Sequence, residues 1–264
     1  MMPSFLARFA LLPLLRGQLP ALAGLVLPLA WLVTQHGPAV LGRLVLLAAI
    51  ALFFQFLFAR IRRQGFGLEG LSMAALVAML VPETAPVWQL VLGGTFGVVI
   101  GLLIFGGHGR NIVHPAVAML TFLGFSFAGD GYGTPPDIAL WTLAPALVLL
   151  LLSGQANWRL LLGSVLGFLA LAWAQDIEAL DLPGTGLFWL VLLYFVADPV
   201  ASAATNWGRI LQGLLWGALT GLFLQAGTPL SALVFAALMG SIFAPLLDQI
   251  VIALNMARRA RRHG

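Results

Sequence analysis

Ten apolar runs follow one another along this chain, and a pattern of breaks between them occurs twice. In the first copy, LSMAALVAMLVPETAP follows Gly70. A long apolar stretch comes next, then FGGHGRNIVHP and AVAMLTFLGF. In the second copy, Gly184 opens TGLFWLVLLYFVADPVASAATNWGR. Another long apolar stretch follows, then QAGTPLS and ALVFAALMGSIFAPLLD. Each first break sets an acid beside a proline, Pro82-Glu83 and Asp198-Pro199, with the prolines 117 residues apart. Interrupted hydrophobic segments at matching places in two halves of a chain point to a membrane protein with a buried midplane site between the halves.

Composition supports that reading. Of 264 residues, 61% are hydrophobic and 8% charged, against roughly 25% charged in an ordinary soluble domain. The apolar runs lie at about 20–34, 39–58, 70–81, 86–105, 114–127, 138–153, 158–173, 186–197, 210–225 and 229–253. The runs 70–81, 114–127 and 186–197 fall short of the ~20 residues of a full crossing. Gly or Pro bounds each of them, so they read as half-helices or as helices extended by the adjacent polar turn. The first long run follows Arg8 and Arg16 without a convincing cleavage site, so the N-terminus does not read as a removable leader. Cysteine is absent, which excludes disulfides, Cys-ligated zinc and Cys-ligated clusters from this chain. The net charge of +4 comes from arginines that topology explains better than a nucleic-acid partner does.

With ten crossings and the N-terminus inside, 12 of the 13 arginines fall on cytoplasmic segments or span ends, and only Arg43 falls outside. Six of the nine acids (Glu83, Asp130, Asp137, Asp176, Glu178 and Asp181) fall on the external side. Ten divides into five plus five, and an odd number of crossings per repeat inverts the second. The expected architecture is an all-α polytopic membrane protein of about ten transmembrane segments. Its two inverted five-helix repeats, with broken helices, would be residues 1–127 and 128–264 of one membrane domain.

Candidate chemistry sits at the breaks. The loop from Phe105 to Pro115 carries Gly106, Gly107, His108, Gly109, Asn111 and His114 into a short helix. Glycines permit close backbone approach and Pro115 suits a first helical turn. The free N–H groups there suit a phosphate, a carboxylate or a ring that gains charge on reduction. The plainer reading is a tight turn with Asn111 as the cap. His108 and His114 are six apart, off the spacing that puts two ligands on one helical face, so no metal site is expected. Asp198 reads either as a membrane acid seeking a partner, with Arg209 the candidate, or as a cap with Pro199 at the first helical position. The polar loop 128–137 brings Asp130, Gly131, Tyr132 and Thr134 to the mouth of the fifth span. The tail RRARRHG reads as an anchor for anionic lipid.

Four segments together resemble the NqrB/RnfD family, the membrane subunits of sodium-pumping NADH:quinone oxidoreductase and of the Rnf complex. FGGHGRNIVHPAVA is similar to the family's FGGxGxNxFNPA element, with His114 in place of an Asn. FVADPVASAATNWGRILQGLLWG is similar to its ATDPV segment and long helix. FAALMGSIFAPLLDQIV resembles its closing element without the Asn, and LSMAALVAMLVPETAPVW its third-span end. The resemblance covers roughly residues 65–255 and implies two inverted five-helix repeats akin to urea transporters. It implies FMN esterified to an external Thr, here Thr134 in Asp130-Gly-Tyr-Gly-Thr-Pro, where Gly133 alone stands for the family's S-G-A. It also implies partner iron–sulfur and flavin subunits in the bacterial inner membrane, with both termini cytoplasmic. Flavin held without a covalent bond (FMN or riboflavin), a quinone, a urea-like solute path and a cofactor-free structural subunit stay open as alternatives.

Overall fold

The computed structural model describes residues 11–63, 69–107, 109–134, 136–175 and 181–263, with side chains between 18 and 259. Arg8, His108, Asp176 and Glu178 lie outside the described residues, as do the side chains of Arg16, Arg261 and Arg262. Ten α-helices and no strand occur among the described residues. They are α1 (Leu11–His36), α2 (Ala39–Arg62), α3 (Glu69–Leu80), α4 (Val87–Val98), α5 (Pro115–Ser126), α6 (Ala144–Leu152), α7 (Trp158–Ala174), α8 (Gly186–Val191), α9 (Asn206–Leu224) and α10 (Pro229–His263). They coincide one for one with the ten apolar runs. Two are prolonged by π-helical turns, α4 by Val99–Leu103 and α8 by Leu192–Val196. A 3₁₀ turn, Leu140–Leu143, leads into α6.

This is a polytopic membrane protein. Segments of α1, α2 and α10 are each long and apolar enough to cross a bilayer. Much of the outer surface is apolar: Leu152 is 82% exposed, Phe125 79% and Phe53 61%. In water such a surface would be a liability, whereas in lipid it needs no cover. The exposed tryptophans Trp88, Trp141, Trp158, Trp173 and Trp207 all stand in the first or last turn of a helical segment. That is where amphipathic rings settle at the two membrane interfaces.

The short helices occupy the middle. At about 1.5 Å per residue, the 12 residues of α3 and of α5 each span only about 18 Å. Every residue of α3 from Met73 to Leu80 is buried, and so is the stretch from Leu190 through Ala197 on α8 and its π-turn. Helix ends at membrane depth need partners for their spare carbonyls and N–H groups. Arg43 supplies one: its guanidinium donates to Val81 O just past α3, at 3.1 Å. The one arginine that breaks the charge asymmetry is therefore a cap for a broken helix. At the opposite end, Arg62 donates to Leu103 O at 2.6 Å, where the π-turn of α4 finishes.

Small residues set the tightest packing. α7 and α9 run against each other through Gly163 and Gly167 on one helix and Gly213 and Gly217 on the other. A Cβ at Gly217 would fall on Ser164 O and Phe168 N, and one at Gly167 on the backbone of Leu214. On α4 and its π-turn, Gly93, Gly97 and Gly101 face α5 in the same way. Close backbone approach of this kind is the main source of helix association in lipid. Replacing Gly217 with Leu must push two backbones apart. We expect Gly217→Leu to aggregate on detergent extraction, or to melt at least several degrees lower by fluorescence-detected thermal unfolding. The same change at the uncrowded Gly42, which has open space around its Cβ position, should leave the melting profile near wild type.

Candidate functional site

Two polar centres lie at opposite ends of the bundle, joined by α5. The first is a cavity of about 240 Å³ at the end where α3 begins and α8 finishes. Both π-turns contribute to its wall, through Leu102 on one and Leu193 and Tyr194 on the other. π-turns displace side chains from regular helical register and recur at functional sites. The cavity brings together four of the residues expected from sequence: Asn111 and His114 from the first half, Asp198 and Pro199 from the second. Gln18 from α1, Glu69 and Ser72 from α3 and Gln155 after α6 complete its polar lining.

The local chain explains how each group is held. Gly106, Gly107 and Gly109 have φ of 113°, 93° and 86°, so this loop depends on the left-handed backbone that glycine adopts without strain. These glycines shape the loop but do not line the cavity. Asn111 does not cap α5. Its amide donates to Val113 O at 3.3 Å, and His114 is the cap, its Nδ1 accepting from Ala116 N at 3.2 Å. The His114 ring stacks on Phe195 across the two halves, with centroids 5.4 Å apart. The Asn111 side chain is 5% exposed, and its Oδ1 is buried with no hydrogen-bond partner. Gln18 Oε1 is in the same condition. A buried acceptor left unpaired costs roughly 1–3 kcal/mol, so two of them on one cavity mark a place suited to a donor-bearing guest.

The expected helix cap at Asp198 is not found, because no helix begins at Pro199 and α9 starts only at Asn206 with Thr205 as its cap; Asp198 Oδ1 instead accepts from Val200 N at 3.3 Å within a turn. The expected pairing with Arg209 is not found. Arg209 Nε donates to Ala203 O, and the acid beside it is Asp248. Asp248 reaches from α10 to accept from Ala204 N at 2.7 Å and from the Thr205 backbone and hydroxyl at 2.9 and 2.5 Å. A distant acid thus outcompetes the neighbouring one because it completes the N-terminal cap of α9.

The second centre is the loop after α5. Gly131 has a φ of 81°, and the Thr134 amide and hydroxyl both donate to Gly131 O, at 3.1 and 2.9 Å. The Thr134 side chain is exposed. Tyr132 turns inward: its ring is buried near Phe127, and its hydroxyl donates to Gln89 Oε1 at 2.6 Å. Gln89 Nε2 in turn donates to Asp130 Oδ2 at 2.6 Å. Gly133 abuts Thr228 of the α9–α10 turn, leaving no room for a side chain there. Sequence reading missed Gln89, Gln18 and Glu69. Each is an isolated polar residue whose partners lie far along the chain. Among the described residues, no cluster of three or more His, Asp or Glu that could hold a metal ion occurs.

Burial, reinforced by the Asp130 carboxylate, pushes the Tyr132 phenol up to about 12. The native state then holds this proton more tightly than the unfolded chain does. Its contribution to stability is full below the ordinary tyrosine value of about 10 and is lost as pH rises through about 12. The chain has two tyrosines. In a Tyr194→Phe background, phenolate absorbance should therefore stay flat through pH 10 in the folded protein. It should rise near 10 only after denaturation.

The model of the NQR2, RnfD, RnfE family matches residues 18–133 and 137–257. A Na(+)-translocating NADH-quinone reductase subunit of Pseudomonas paraeruginosa (strain DSM 24068 / PA7) is 28% identical over 269 aligned positions, covering 80% of this chain. The corresponding subunit of Stutzerimonas stutzeri (strain A1501) is 29% identical over 267, also covering 80% of this chain. The match spans 66% of the length of each of these relatives. With both segments of the family model accounting for most of its helices, the chain belongs to the NQR2, RnfD, RnfE family.

Proposed function

We propose that this chain is the membrane-embedded flavin-holding subunit of an electron-transfer complex in the bacterial inner membrane. It relays electrons between cofactors on iron–sulfur and flavin partner subunits, or to quinone, and both its termini face the cytoplasm. Support comes from the family and from the subunit names of its relatives. Residues 1–127 and 128–264 are read as inverted five-helix repeats. The equivalent positions of the short buried helices α3 and α8, third in each half, favour that reading.

The observation that carries the reading is the cavity between the halves. An isoalloxazine ring is flat and largely apolar, with an N–H and carbonyl groups on one edge. The walls from Leu102, Leu150, Leu193 and Tyr194 suit its faces, and the unpaired Asn111 Oδ1 and Gln18 Oε1 suit a ring N–H. The residues present therefore fit a flavin. Among the described residues, the ionisable groups lining the cavity besides His114 and Tyr194 are Glu69 and Asp198, with no arginine. Two acids without a cation disfavour a phosphate, so this end suits a neutral flavin such as riboflavin, or a quinone, rather than FMN.

Thr134 is the candidate for covalent FMN at the other end. Its side chain is exposed, and its hydroxyl donates to the carbonyl of the left-handed Gly131. A bound flavin supplies one- and two-electron redox chemistry; the protein's part is to orient the ring and exclude water from it. In the cavity, Asn111 orients the ring edge and Tyr194 closes one wall. His114, as the cap of α5, and Asp198, bonded within its own turn, keep the loops that form the mouth in place.

Intact-mass spectrometry and in-gel fluorescence of the purified chain test both sites. The wild type should carry an FMN increment that disappears in Thr134→Ala. Asn111→Leu should keep that increment while losing most of the flavin released by mild denaturation. Wild-type chain with neither flavin, in an assembled complex, overturns the reading in favour of a cofactor-free structural subunit.

A further inference from the structure

We propose that Gln89 is the positioning residue of the outer loop, fixing through its single carboxamide the conformation in which Thr134 is presented. The proposal rests on the reading of Thr134 as a flavin attachment point. Gln89 stands in the first turn of α4 and is 3% exposed. Burying an uncharged amide in the first turn of an apolar helix costs free energy unless both its ends are satisfied. Here both are: the carbonyl accepts from Tyr132 and the amino group donates to Asp130, each at 2.6 Å. The two partners sit on either side of Gly131, the residue whose carbonyl holds the Thr134 hydroxyl.

The carboxamide thus grips the turn from both flanks. Tyr132 is drawn under α4 and Asp130 is drawn to its edge. Gly131, forced into the left-handed region between them, points its carbonyl at Thr134. From the far side Gly133 rests on Thr228, so the loop is held between the first half and the α9–α10 turn. Only a group with one acceptor and one donor fits at residue 89, because the phenol offers a proton and the carboxylate requires one. Attachment replaces the Thr134 O–H with an O–P bond. A flavin dinucleotide supplies the flavin phosphoryl group, its P–O bond to the departing nucleoside monophosphate breaks, and the hydroxyl proton passes to solvent. Such an in-line displacement needs the hydroxyl held in one geometry.

The donor–acceptor order gives a swap test. Gln89→Glu sets a second carboxylate against Asp130 and should open the turn. Adding Asp130→Asn restores the chain of hydrogen bonds: the amide introduced there donates to the new carboxylate, which accepts from Tyr132 as before. Two readouts are taken on the full-length protein in its native membrane complex. One is covalently attached flavin, read as in-gel fluorescence of the chain after the complex is denatured. The other is the mobility of a spin label on Thr134→Cys, which is the sole thiol in this cysteine-free sequence. Gln89→Glu should lower the covalent flavin per chain at least fivefold and sharpen the spin-label spectrum, and the double variant should recover both. A Gln89→Glu protein with wild-type flavin and an immobilised label, or a double variant that recovers neither, overturns the proposal. If wild-type chain carries no flavin on Thr134, the attachment reading fails. The spin-label comparison then decides the positioning role alone.

Discussion

In hydrocarbon, every backbone N–H and C=O must find a partner within the protein. That requirement governs this chain more than any single contact, because several of its ten helices, α3, α5, α6 and α8 among them, are too short to cross. Their ends lie where water is scarce. The structure meets the need with side chains brought from elsewhere: Arg43 for the end of α3, Arg62 for the end of the α4 π-turn, His114 for the start of α5 and Asp248 for the start of α9. The longer helices pack around the short ones and keep lipid away. Glycine contacts between α7 and α9, and between α4 and α5, bring the scaffold close enough for this enclosure.

Broken helices cost stability but leave chemistry in the membrane. The starts of α3 and α5 and the end of α8 leave a cavity whose lining includes two unpaired acceptors and two acids. At the other end of α5, the chain turns sharply and exposes Thr134. Taking α5 as a ruler of about 18 Å, the two centres are separated by more than half the hydrocarbon thickness. The proposed electron relay makes use of this division: a neutral ring enclosed at one end and a tethered one at the other.

Much of this was legible in sequence, for physical reasons. Ten apolar runs map onto ten helices because lipid imposes length and composition together. Family elements at residues 105–118 and 195–217 contain residues that line the cavity, since breaks in apolar helices are where polar groups gather. Capping assignments were less legible. Asn111 and His114 both precede Pro115 closely enough to cap α5, and only the fold shows that His114 does. Arg209 lies eleven residues from Asp198, yet Asp248 takes the position beside it from 44 residues beyond Ala204. Gln89 left no local signal at all: its partners are 41 and 43 residues away, and a glutamine at the start of an apolar helix resembles any interfacial residue. The π-turns were invisible too, because Val99–Leu103 and Leu192–Val196 are as apolar as the helices they prolong.

The central claim is that the chain holds two functional centres on opposite faces of the membrane. Pro199 and Thr134 are both exposed, one at each centre, and the chain has no native thiol. The most direct measurement is labelling of the single variants Pro199→Cys and Thr134→Cys by a membrane-impermeant maleimide, in intact cells and in inverted vesicles. The account predicts that Thr134→Cys labels in intact cells and Pro199→Cys only in inverted vesicles. Labelling of both positions from the same side would contradict it.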